Sequence, residues 1–131
     1  MVPQAKGDGT PPLEGAPVLI VEDDFLILAE LESGLTDAGA EVVGPCRNAS
    51  EALAALDGRQ VAAAILDLQL AGGRSSVPVG RELARRGIPF LFYTGQLDTR
   101  SIRAEWPQCR VISKPAPLGM IMRAVAQLIA R

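Results

Sequence analysis

Four short apolar runs in the chain each end on a residue able to hold a metal ion or a phosphoryl group. Val18-Leu19-Ile20-Val21 leads into Glu22, Asp23 and Asp24, and the run from Ala62 to Leu66 leads into Asp67. The run from Pro89 to Tyr93 leads into Thr94 and Gly95, and Val111-Ile112-Ser113 leads into Lys114 and Pro115. Carboxylates held close together repel one another and need a cation, and an all-oxygen donor set suits Mg²⁺. A lysine opposite them offers a point charge to a carboxylate or phosphoryl oxygen, and a threonine hydroxyl can donate to another. An aspartate can itself accept a phosphoryl group as an aspartyl phosphate. Such chemistry rests on positioning and electrostatics rather than on elaborate covalent steps.

These residues are far apart in sequence, so the elements between them must bring them together. Short apolar runs separated by helical segments read as buried parallel strands. In an open parallel sheet the carboxyl ends of the strands share one edge, where ligands bind. A first helix is predicted over about residues 25–38, with Leu28, Leu31, Leu35 and Ala38 on one face and Gly39 as its stop. A short strand follows over 41–44. Asn48 or Ser50 can cap a second helix that runs to Leu56 and ends at Asp57-Gly58. Residues 71–76 read as a flexible loop, and a third helix is predicted over about 79–86. The fourth, over 97–105, is short and closed by Trp106-Pro107, which suits an order–disorder switch. The fifth carries one apolar stripe of Leu118, Ile121, Met122, Val125, Leu128 and Ile129. Residues 1–16, rich in glycine and proline, read as a flexible leader to a single domain over 17–131.

Together the four motifs resemble the receiver domain of bacterial two-component response regulators. Asp23, Asp67, Thr94 and Lys114 stand 44, 27 and 20 positions apart, spacings similar to that family's. The resemblance implies a three-layer α/β/α sandwich with a five-stranded parallel sheet of order 2-1-3-4-5, the flavodoxin-like receiver fold. It implies that Asp67 is the phosphoacceptor and that Glu22 and Asp23 form the acidic pair for Mg²⁺, Asp23 as the direct ligand. Gln69 would add its backbone carbonyl to the metal, its side chain standing where family members tune the lifetime of the phosphoryl group. Thr94 would be the switch hydroxyl, Lys114 the amine that pairs with the phosphoryl group, and Gly95 would leave room for phosphoryl entry. The implied phosphoryl donor is a sensor histidine kinase or a histidine phosphotransfer protein. Phe92-Tyr93-Thr94-Gly95 resembles the Phe-Ala-Thr-Gly-type motif of single-domain regulators in alphaproteobacteria, from which Tyr93 and Gln96 depart. Family members often carry an aromatic switch residue where this chain has Val111.

Composition agrees with a small soluble domain: 131 residues, 48% hydrophobic and 21% charged. A net charge of −2 lacks the basic footprint of a nucleic-acid binder. No run approaches the length of a membrane span or a signal-peptide core, so membrane insertion and secretion are not expected, and the chain reads as cytoplasmic. Cys46 and Cys109 are isolated and there is no histidine, so reduced thiols are expected. Asp24 reads as a helix cap, Trp106 as a packing residue, and the last helix first as core. Arg131 ends the chain directly after the fifth helix, so output is expected to pass to a downstream protein target, with homodimerisation left open. Two rivals remain: a degenerate receiver that binds without phosphorylation, and a haloacid-dehalogenase-like phosphohydrolase. The second wants an aspartate where Gln69 stands. A dinucleotide site is excluded because no Gly-x-Gly-x-x-Gly follows the first strand.

Overall fold

The computed structural model describes residues 12–130. Along the chain run β1 (Pro17–Val21), α1 (Phe25–Asp37), β2 (Glu41–Cys46), α2 (Ala49–Gly58), β3 (Ala63–Leu66) and α3 (Val77–Arg85). Then come β4 (Phe90–Thr94), α4 (Arg100–Glu105), β5 (Arg110–Ser113) and α5 (Leu118–Ala130). The strands pair in parallel in the order β2-β1-β3-β4-β5, the flavodoxin-like receiver order expected from the sequence.

Residue parity along each strand sorts the side chains into two layers, because successive residues point to opposite faces. Leu19, Val21, Ala64, Leu66, Phe90 and Phe92 join one core with residues of α2, α3 and α4. Val18, Ile20, Ala63, Ile65, Leu91 and Tyr93 join the other, with α1 and α5. Every residue of β3 and β4 is buried. That two-sided burial is why these strands read as unbroken apolar runs rather than as alternating patterns.

The helix ends follow their local chemistry. Asp24 caps α1, its carboxylate accepting the Leu26 and Ile27 N–H groups at 3.0 and 3.1 Å. Gly39 ends that helix with φ +90°, a left-handed conformation that glycine adopts without cost. Asn48 rather than Ser50 caps α2, accepting the Glu51 N–H at 2.8 Å. On α5 the buried face is Ile121, Ala124 and Val125, while Leu118 and Met120 are exposed. Ala124 extends the buried face beyond the expected stripe of large side chains.

β2 runs on to Cys46 and α3 starts at Val77, small extensions of the expected ranges, and three stretches depart further. Residues 12–15, assigned to the leader, form a turn, and Leu13 within it is 1% exposed. The turn closes the end of α1: the Leu13 N–H donates to the Ala38 carbonyl and the Gly15 N–H to that of Gly39, at 2.9 and 2.8 Å. These bonds serve carbonyls that a helix terminus leaves unpaired. The rest of the expected leader, 1–11, lies outside the described residues. Next, the loop expected over 71–76 is built rather than free. It holds a 3-10 turn at Ala71–Gly73, a bridge between Gln69 and Ser75, and a buried Ser76 whose N–H and hydroxyl both donate to the Leu68 carbonyl. Finally, α4 begins at Arg100 rather than near 97. The Asp98 carboxylate takes the Arg100 N–H at 3.1 Å, a local bond that competes with helix formation.

The two ends of α4 are held differently. Trp106, at its C-terminal end, stands edge-on to Phe90 with ring centroids 5.3 Å apart and tilted against Phe92 at 5.9 Å. Glu105 receives a two-pronged hydrogen bond from Arg81 of α3, at 2.9 and 3.1 Å. At the other end Leu97 is fully exposed. Both cysteines are free, and burial pushes each thiol up to about 11, which keeps them protonated and unreactive at neutral pH. Among the described residues no helix is long and apolar enough to cross a membrane.

A Cβ on Gly80 would lie 3.0 Å from the Trp106 ring and 3.5 Å from that of Phe90. Both rings already pack on one another, so Gly80→Val should destabilise the domain by about 1–3 kcal/mol. Equilibrium urea unfolding measures this; an unchanged midpoint would show that the α3–α4 contact is looser than the rings suggest.

Candidate functional site at the carboxyl edge of the sheet

Strand register assembles the site. Val21 pairs with Leu66 and Thr94 with Ser113, so the residues that follow these pairs emerge side by side. The ladder continues one step into the loops, with the Asp67 N–H donating to the Val21 carbonyl and the Lys114 N–H to that of Thr94, both at 2.9 Å. Glu22, Asp67 and Thr94 are buried, Asp23 and Lys114 half-buried. An open depression lined by Asp23, Asp67, Gln69, Thr94, Gly95, Gln96 and Lys114 gives the group access to solvent.

Lys114 sits at the electrostatic centre. Its ammonium lies 2.9 Å from Glu22 Oε1 and 3.0 Å from Asp67 Oδ2. Burial opposes the charge on Lys114, but the hydrogen bonds to Glu22 and Asp67 outweigh it and hold the amine above its ordinary value. Burial raises the Glu22 carboxyl, further assisted by the nearby Asp67 charge, while hydrogen bonds from Lys114 and the Asp24 N–H pull the other way. Both Glu22 oxygens are therefore engaged: Oε1 with Lys114, and Oε2 with the Asp24 N–H at 2.9 Å.

Glu22, Asp23 and Asp67 each present a carboxylate oxygen within 4.8 Å of the others. Three carboxylates against one ammonium leave two negative charges, which one divalent cation balances. The donors are hard oxygens, as Mg²⁺ prefers. Among the described residues no hydrogen bond reaches the Asp23 carboxylate; the Arg47 side chain donates instead to the Asp23 backbone carbonyl, at 3.2 Å. The donor set thus fits the expected ion, with Asp23 the least committed of the three.

The remaining expected residues occupy the rim. The Thr94 hydroxyl accepts the Gln96 N–H at 3.1 Å, leaving its own proton free to donate elsewhere. Gln69 is exposed beside the acidic cluster, and its side-chain oxygen accepts a hydrogen bond from the Gln96 amide. The Gln69–Gln96 pair spans the mouth of the depression; the sequence marks the two residues singly but not their contact, and does not mark Arg47. Nothing local in sequence signals such contacts, since they join loops 27 and 24 positions apart. Tyr93, marked in sequence only as a departure from the Phe-Ala-Thr-Gly-type motif, has contacts of its own at the site. Its hydroxyl accepts the Ala116 N–H at 3.2 Å, and its ring lies 5.7 Å from the Lys114 ammonium.

The pattern of the response regulator receiver domain matches residues 18–126. The chain belongs to the response regulator receiver family. Among solved structures this receiver is similar to SdrG from Sphingomonas melonis Fr1, at 37% identity, over 90% of this chain and 98% of that one, with a TM-score of 0.75. It is also similar to the BeF3-activated conformation of SdrG (Pseudomonas melonis Fr1), at 38% identity, over 86% and 95% of the two chains, with a TM-score of 0.71. A curated relative, the phyllosphere-induced regulator PhyR of Methylorubrum extorquens, is 28% identical over 115 residues, 86% of this receiver and 43% of PhyR. The chain therefore spans less than half the length of PhyR. The family is a signalling domain rather than a classical enzyme.

Crowding of three carboxylates predicts how the receiver responds to neutralisation. Like charges under 5 Å apart repel by roughly 1–3 kcal/mol at intermediate effective dielectric. Asp23→Asn should therefore raise the melting temperature in EDTA, and an increase expected of the parent protein on adding Mg²⁺ should be lost in the variant. The raised Glu22 carboxyl adds a pH signature. Its protonated form is favoured by the fold, so that contribution is full below its ordinary 4.5 and is lost as pH rises through the raised value. Thermal melts with and without Mg²⁺ across pH 4–8 check both; a variant less stable in EDTA than its parent would contradict the repulsion.

Proposed function

We propose that this receiver accepts a phosphoryl group on Asp67 from the phosphohistidine of a sensor histidine kinase or histidine phosphotransfer protein. The observation that carries the reading is that, of the two carboxylates lining the open depression, Asp67 alone has Lys114 on one of its oxygens, with Thr94 at the same sheet edge. The similarity to SdrG, for which a BeF3-activated conformation is known, supports it.

In the transfer, an Asp67 carboxylate oxygen forms a bond to phosphorus while the phosphorus–nitrogen bond to the donor imidazole breaks. The imidazole nitrogen keeps the electron pair and takes up a proton. Glu22, Asp23, Asp67 and the Gln69 backbone carbonyl would hold Mg²⁺, which supplies positive charge for the phosphoryl oxygens. The chain's own residues do the rest. Lys114 exchanges a carboxylate partner for a phosphoryl oxygen, which is a short move because its ammonium already touches Asp67. Thr94 turns its free proton toward the same group. The product replaces one carboxylate charge with a near-dianion, and that added charge is the signal.

Output then passes by contact with a downstream protein, and a kinase donor places the receiver in the cytoplasm. The exposed α5 residues Leu118 and Met120 lie just beyond Lys114 and are available to such a partner.

Titration with beryllofluoride and Mg²⁺, followed by two-dimensional NMR, should give saturable, Mg²⁺-dependent shifts around Asp67, Thr94 and Lys114. Asp67→Asn should abolish acid-labile phosphoryl labelling while its spectrum stays folded. Lys114→Ala should keep Mg²⁺ binding but lose the conformational response. Undiminished labelling of Asp67→Asn would overturn the assignment of the acceptor.

A further inference from the structure

Tyr93 occupies an unusual position for a strand residue. It is the last residue before Thr94 on β4, 5% exposed, and it points into the α1–α5 layer rather than toward α4. A buried phenol normally needs a reason for its oxygen. Here the oxygen reaches past the end of β5 and accepts the Ala116 N–H at 3.2 Å. The ring face lies 5.7 Å from the Lys114 ammonium, within the range at which a cation is attracted to an aromatic ring. One rigid side chain therefore touches both the charge at the centre of the site and the backbone two residues before α5.

We infer that Tyr93 is a positioning residue that holds the Lys114 ammonium and ties its location to the first turn of α5. This rests on the phosphoacceptor reading above, and it adds a route by which that site is read out. The ring gives the ammonium a resting surface that does not compete for Glu22 or Asp67, because it offers no hydrogen-bonding lone pair at its face. When Lys114 turns from its carboxylate partners to a phosphoryl oxygen, the cation shifts relative to the ring. The hydroxyl carries any answering movement of the ring to Ala116, and so to the turn in which the Met120 N–H donates to the Pro117 carbonyl. Leu118 and Met120, exposed on that turn, then present a changed surface. No other side chain is hydrogen-bonded to the Ala116 N–H among the described residues, so the link runs through Tyr93.

The two contacts separate by substitution. Tyr93→Phe keeps the ring and loses the hydroxyl; Tyr93→Leu loses both. The full chain and each variant are titrated with beryllofluoride and Mg²⁺, with the Ala116, Leu118 and Met120 amides followed by NMR and melting temperatures recorded alongside. In the parent protein these amides should shift in step with Asp67 and Thr94. Tyr93→Phe should bind beryllofluoride within twofold of the parent, yet the shifts of the α5 amides should fall by at least half. Tyr93→Leu should also bind roughly two- to fivefold more weakly, the worth of a partly exposed cation–ring contact. A residue that merely fills the core would lower the melting temperature of both variants without separating affinity from the α5 response. Parent-like α5 shifts in Tyr93→Phe would overturn the inference while leaving the phosphoacceptor reading intact. Failure of the parent protein itself to respond to beryllofluoride would overturn both.

Discussion

The contact on which the rest of the site depends is the Lys114 ammonium between Glu22 and Asp67. A parallel sheet delivers its strand ends to one edge, and in this chain three of the residues delivered there are acids. Left alone, a buried glutamate beside a buried aspartate would push one of them to protonate. The lysine at the end of β5 moderates that repulsion without cancelling it. The residual negative charge suits the edge to a small divalent cation, and the lysine's divided attachment leaves it ready to change partners. The same few charges therefore decide both how stable this edge is and which ion it suits.

The layers beneath serve that edge. Because β3 and β4 are covered on both faces, their ends are fixed by packing, and the registers of β1 with β3 and of β4 with β5 decide which residues meet. A one-residue slip would send Asp67 or Thr94 to the wrong face. Phe90, Phe92 and Trp106 fill the α3–α4 side with ring contacts, and Val111 packs against the same cluster. The bulk that an aromatic residue would bring at 111 is thus supplied from β4 and from the end of α4. On the opposite face the layer holds a phenol, Tyr93, instead of another hydrocarbon, and that single oxygen joins β4 to the approach of α5.

What was legible in the sequence had strong, local or periodic signals. β1, β3 and β4 announced themselves as apolar runs because they are buried almost throughout, and Asp67 and Lys114 stood out as charges at strand ends. Asp24 could be read as a cap because capping is decided within three residues. The misses share a cause. Leu13 is core only because the chain folds back onto the end of α1, and residues 71–76 are built by backbone bonds between Leu70, Gly73 and Arg74, the Gln69–Ser75 bridge and the buried Ser76. Arg47 and Gln96 meet their partners across loops. Such contacts depend on which loops the topology brings together, and a window moved along the chain cannot see them. The start of α4 failed for another reason: Asp98 and Arg100 made a local bond that outcompeted a helical turn.

The asymmetry of α4 has a geometric consequence. Its far end is clamped by an indole wedged among rings and by a two-pronged ion pair, while its near end, leading from Thr94 through Gly95 to the bare Leu97, has the buried Ile102 but, among the described residues, no such ring contact or ion pair to another helix. A rod fixed at one end is a lever. Six residues of helix span about 9 Å, so tilting α4 by about 10° on its Trp106 fulcrum carries Arg100 through roughly 1.6 Å while Glu105 barely stirs.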